Sequence, residues 1–176
     1  MKRYSGNRDP RFVAIHRGGD LDLATHRLLV AWAADCAEHV LPLFTEVHST
    51  DTRPSQAIAI AREWASGNLT VAQSREAAFG THAAARESSN SAAIAVARAA
   101  GHAVATAHMA DHELGAAAYA IWAVLKSVSN IDAIRVSQSE CRWQQAQLSD
   151  AIRELVLSDQ QNRNPKFKNV FLGTPS

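Results

Sequence analysis

Apolar residues recur along much of this chain at three- and four-residue steps, the spacing that gathers them on one side of an α-helix. Leu29, Trp32, Ala33, Cys36, Val40, Phe44 and Val47 form such a stripe and predict a helix of several turns. Pro42 lies inside it and must kink or divide the helix, because proline lacks an amide hydrogen and crowds the preceding turn. Ahead of it, Asp9-Pro10 and Gly18-Gly19 bound a short helix, and Asp20 or Asp22 can start the long one. Arg53-Pro54 opens a further helix with Ala57, Ile58, Ala61, Trp64 and Ala65 on one face, ended by Ser66-Gly67-Asn68. Thr70 can cap the next, whose inward stripe reads Val71, Arg75, Ala78, Phe79, His82 and Arg86.

The pattern changes between Ala92 and Leu125, where alanine dominates and almost every side of a helical wheel is apolar. A helix apolar all round belongs in the middle of a fold. The stretch predicts one long central helix over about 92–126, capped by Ser91, with Gly101 and Gly115 at points of close approach. Asp132 opens the last helix, in which Ile134, Cys141, Gln145, Leu148, Ile152 and Leu155 keep a helical period to Ser158. Beyond it the chain is polar and broken by proline, but Phe167, Val170, Phe171 and Leu172 give it something to dock with. No segment alternates with period two. The expectation is an all-α, single-domain helical bundle over residues 1–159, with a C-terminal strap or arm over 160–176. That arm can dock on its own domain or on a second copy, making a homodimer.

Composition narrows the function classes. A length of 176 residues suits one core, and 47% hydrophobic with 20% charged residues is a globular balance rather than a disordered one. The net charge is +1 with basic residues scattered, so nucleic acid is not an expected partner. The run from Leu114 to Leu125 is too short to cross a bilayer and the opening residues lack a signal peptide's apolar core. A cytoplasmic protein with no membrane partner is expected. Cys36 and Cys141 form no CxxC pair and read as buried thiols. There is no phosphate-binding glycine motif, so no nucleotide cofactor is expected. The four tryptophans read as core, and Glu38, Glu46, Asp51, Glu63 and Asp159 as solvated surface.

Polar groups within the alanine-rich stretch are the main chemical signal. His108 and His112, four apart in one helix, would project about 40° from each other and could share a metal ion. A third ligand would come from His82, His39, Glu140 or Asp35. That makes a metal-dependent helical-bundle enzyme the alternative function. The leading reading is an internal polar network of His82, Arg86, Arg98, His102, His108 and His112 that bonds between helices, with no metal and no cofactor. Arg86 and Arg98 could pair with Asp35, Asp111 or Glu140. Among the connections, His48 to Arg53 and Glu87 to Ser91 stand out. Glu46, His48, Asp51 and Arg53 make a charged set suited to a protein partner.

Arg17-Gly18-Gly19, Trp32-Ala33 with Cys36-Ala37, Arg53-Pro54, His82 to Arg86, and Ala97 to Ala103 together resemble the all-helical immunity proteins of bacterial polymorphic toxin systems. His26-Arg27, Trp64-Ala65, Thr106-Ala107-His108, His112, Tyr119-Ala120 and Trp143-Gln144 extend the resemblance from about Arg11 to Val156. It implies a small cytoplasmic protein that binds a cognate toxin domain and blocks it, without catalysis or cofactor.

Overall fold

Pro42 divides the first long helix, as its missing amide hydrogen requires. In the computed structural model, which describes residues 3–171, α1 spans Leu23–His39 and the single-turn α2 spans Pro42–Thr45. Next come α3 (Arg53–Ala65), α4 (Val71–Glu87), α5 (Ser91–Ala105), α6 (Glu113–Ser127), α7 (Asn130–Ala146) and α8 (Asp150–Arg163). No β-strand occurs among the described residues; one isolated bridge joins Ala14 and Leu21. The fold is all-α. Short 3₁₀ turns at Pro10–Phe12 and Ile15–Arg17 lie ahead of α1, and Gly18, at φ 85°, ends the second in the left-handed region.

The expected single central helix is instead two helices. After Ala105 the chain turns through Thr106 to Met109 and a 3₁₀ turn at Ala110–His112, and α6 packs back against α5. Length supplies a reason. A continuous helix over these 34 residues would be about 50 Å long, whereas neighbours of 13 to 17 residues span about 20 to 26 Å. Folding the apolar stretch back on itself keeps both halves inside. Distant side chains satisfy carbonyls freed at the break: His26 Nε2 lies 2.7 Å from Thr106 O, and Arg163 Nη1 donates to Asp111 O at 2.8 Å.

The last expected helix is likewise divided, into α7 and α8. Ser149 takes an extended conformation at the start of α8, and Arg153 donates to the carbonyls of Gln145 and Leu148.

α5 is the centre, touching α1, α3, α4 and α6, while α6 also packs on α1 and α7. Its inward residues are nearly all alanine. Bulk comes from α1 and α2, where Leu29, Trp32 and Phe44 are fully buried. Trp32 Nε1 donates to Gln144 O at 2.8 Å, tying α1 to α7.

Three expected stripes need correction. In α4 the inward face is Ser74, Ala78, Thr81, Ala84 and Ala85, whereas Phe79 is 74% exposed. An added Cβ on Gly101 of α5 would come within 2.6 Å of Thr81 Oγ1, so α4 approaches too closely for a phenylalanine between them. Ile134 is exposed on α7, and Val47 is exposed beyond α2.

α8 runs past residue 159 to Arg163, and Asn164 then clamps the following turn. Its side chain donates to Phe171 O at 2.9 Å and accepts from Phe171 N at 3.0 Å. Phe171 is buried against the chain's own core, with Phe167 edge-on beside it at 5.7 Å. Leu172 lies outside the described residues.

Candidate functional site

Successive helices run up and down, so the connections gather at two ends. At one end meet the C-terminus of α1 with α2, the start of α3, the end of α4 and the start of α5. Here Asp51 holds the entry to α3. Its Oδ1 accepts from Arg53 N at 3.1 Å and Nε at 2.9 Å, and its Oδ2 accepts from Nη2 at 2.7 Å. Arg53 also reaches Glu87 at 2.5 Å, and His48 Nε2 lies 2.7 Å from Ser88 Oγ. The structure therefore brings together the two loops marked in the sequence. Arg53 holds the Asp51 and Glu87 carboxyls below their ordinary range, chiefly through these hydrogen bonds. Glu46 is exposed beside them.

The histidines lie toward the other half of the bundle. His102 Nδ1 and His112 Nδ1 are 3.2 Å apart, one as donor and the other as acceptor, and the ring centroids of His112 and His108 are 5.6 Å apart. They do not share a helix: His102 is on α5, His108 in the turn and His112 in the 3₁₀ segment. The geometry expected for a metal-binding pair on one helix is therefore not formed. His102 also stacks on Tyr119 at 5.3 Å, and the Arg98 guanidinium lies 5.9 Å from the Tyr119 ring centre. Burial pushes His102 down to about 3, with His112 adding to the effect. Burial also lowers His82, His108 and His112. Arg86 is exposed.

The suggested carboxylate partners of Arg86 and Arg98 are engaged elsewhere. Asp111 is held by Arg8 through two bonds of 2.8 and 2.9 Å, Asp35 by Arg62 at 2.8 Å and Glu140 by His39 at 2.8 Å. The N-terminal segment, α3 and the end of α1 reach those acids first. Among the described residues, no three His, Cys, Asp or Glu side chains converge as metal ligands. Cys36 is fully buried and its thiol is pushed up by that burial. Trp122 and Trp143 are only half-buried; Trp143 stacks on His39 at 3.6 Å.

Two arrangements escape periodicity. The first is a buried acid cluster in which Arg163 donates to Glu113 Oε1 at 3.1 Å and to Asp159 Oδ1 at 2.8 Å. Asp159, expected at the surface, is only 3% exposed because α8 continues to Arg163, one helical turn on. Glu113 is fully buried, and that burial raises its carboxyl well above the ordinary value against the opposing pull of Arg163.

The second is a groove of about 520 Å³ at the end opposite the stitched loops. It lies between the two opening 3₁₀ turns, the start of α1, Trp64 of α3, Val71 of α4, and Ala107 to Ala110 at the α5–α6 break. Phe12, Leu21, Trp64, Ala107 and Ala110 make the apolar lining. His26 packs its ring on Trp64 at 4.8 Å, and His108 Nδ1 is buried with no hydrogen-bond partner among the described residues. Arg8, His16 and Arg17 are at the margin. Arg17, Asp22, Trp64, Val71 and the His26 and His108 pieces carried sequence signals, but none of those signals placed them together.

The described residues thus form a packed helical bundle with a stitched polar end and an apolar groove at the opposite end. The family model described as Imm-5 like putative immunity protein matches residues 19–151, and the chain belongs to that family. The match covers α1 through the start of α8. No curated protein and no solved structure matches the chain significantly. No helix among the described residues is long and apolar enough to cross a membrane.

Proposed function

We propose that this protein binds a cognate bacterial toxin domain in the cytoplasm and neutralises it by protein–protein contact, without catalysis and without a cofactor. The family match over residues 19–151 carries the reading. The architecture supports it, since binding residues on connections are held by a rigid scaffold of packed helices. Two surfaces are on offer. Glu46, His48, Asp51 and Arg53 form a polar face whose geometry is fixed by the bonds to Glu87 and Ser88. The groove forms an apolar face at the other end.

The test takes the genes neighbouring this one and expresses the candidate toxin domain found among them. Co-expression should restore growth to cells making that domain, and the purified proteins should form a stable complex of defined stoichiometry. Growth arrest unchanged by co-expression, together with no complex by size-exclusion chromatography, would refute the proposal.

A further inference from the structure

We infer that the groove is the anchor site for the protein partner, and that it accepts an apolar side chain of that partner flanked by a carboxylate. This rests on the immunity reading and names the surface that reading requires.

Three observations converge. The first is apolar continuity: beyond the buried lining, Ile15, Leu23 and Val71 stand at the margin 49%, 56% and 39% exposed. Those side chains line the cavity and remain exposed. A protein segment seated in the groove and over its rim covers more of that exposed apolar surface than a free small molecule held inside about 520 Å³.

The second is charge. Arg17 and His16 are exposed at the margin. The lining's one carboxylate, Asp22, is occupied as the cap of α1, accepting from Thr25 N at 2.9 Å and Thr25 Oγ1 at 2.8 Å. Arg8 is paired with Asp111, which leaves Arg17 as the guanidinium of the lining without an ion-pair partner among the described residues. A carboxylate beside the anchor complements it.

The third is the contrast with the stitched end. Asp51 and Glu87 are already both paired with Arg53 there, and His48 is held by Ser88. Binding through those groups would require breaking bonds already made. The groove asks for no such exchange, and its His108 Nδ1 has a bond still to make.

Two measurements on the full chain test the inference. The first titrates 3-phenylpropionate and 3-phenylpropylamine, followed by amide chemical shifts. The acid should perturb Ile15, Leu23, Trp64, Val71 and Ala107 with a Kd of about millimolar, as befits so small a probe. It should bind at least about tenfold tighter than the amine, and Arg17→Glu should remove that preference. Equal binding of the two probes, or shifts confined to other surfaces, would overturn the groove's assigned chemistry.

The second uses the candidate toxin domain identified by the co-expression test. Leu23→Asp, Val71→Asp and Arg17→Glu alter exposed side chains, so melting temperature should hold while the Kd for the toxin rises at least about tenfold. Glu46→Lys at the far end should change it less than about threefold. If the groove variants bind normally and Glu46→Lys does not, the inference is wrong and the immunity reading survives. If the unaltered chain forms no complex, the immunity reading and the partner fail together, and the probe titration still decides the groove's chemistry.

Discussion

His102 shows how tightly single residues are fitted into this bundle. A Cβ on Gly115 would come within 2.4 Å of His102 Nδ1, so Gly115→Ala must displace the ring from both His112 and Tyr119. Urea denaturation should show a loss of about 1 to 3 kcal/mol, the usual cost of overfilling a packed interior. Buried imidazoles also set the response to acid. With His102 lowered from 6.5 to about 3, the unfolded chain takes up the proton first, and stability present above pH 6.5 is lost as pH falls toward 3. This ring adds to the fall of stability with falling pH across that window. The slope of unfolding free energy between pH 6.5 and 4 should be shallower in His102→Gln. Glu113 works in the opposite sense. Its carboxyl is raised by burial, so the unfolded chain ionises first as pH climbs above 4.5, and the folded state loses ground. Glu113→Gln, which still offers an oxygen to Arg163, should gain stability relative to the unaltered chain as pH rises from 4.5 to neutrality. A constant difference between the two would show that Glu113 is not the group responsible.

At the scale of elements, helix ends are more legible than helix continuity. Asn90 accepts from Ala93 N at 2.9 Å and caps α5 one residue earlier than the expected Ser91. Asn90→Ala should cost about 1 kcal/mol, read as a lower urea midpoint with unchanged slope. The break between α5 and α6 had no proline and no glycine to announce it. It is held by Arg8, His26 and Arg163, which come from 80 or more residues before it and about 50 after it. Local propensity favours continuing the helix; long-range bonds and the length of the neighbours oppose it. The α4 stripe has the same lesson. Periodicity ranks Phe79 as inward by its hydrophobicity, but an alanine-rich neighbour at close distance selects the small face instead.

The whole molecule joins its two termini across the helix break. Arg11 donates to Ser158 Oγ at 2.8 Å, and Arg163 connects α8 to Glu113 and Asp111. Removing residues 164–176 should therefore lower the melting temperature through loss of Phe171 from the core, worth about 1.5 to 3 kcal/mol for one fully buried phenylalanine. Calorimetry checks the stability, and light scattering should show the oligomeric state unchanged. A loss of dimer on truncation would instead assign the arm to a second copy.

The sequence by itself determined the class of fold, the division at Pro42, the large side chains of α1, and the family, because helical period and local steric rules act over a few residues. Tertiary structure alone decided that the alanine-rich stretch is a hairpin, which face of α4 turns inward, that Asp159 is buried, and where the groove opens. Those outcomes depend on distances and partners between segments far apart in the chain, which no short-range pattern encodes.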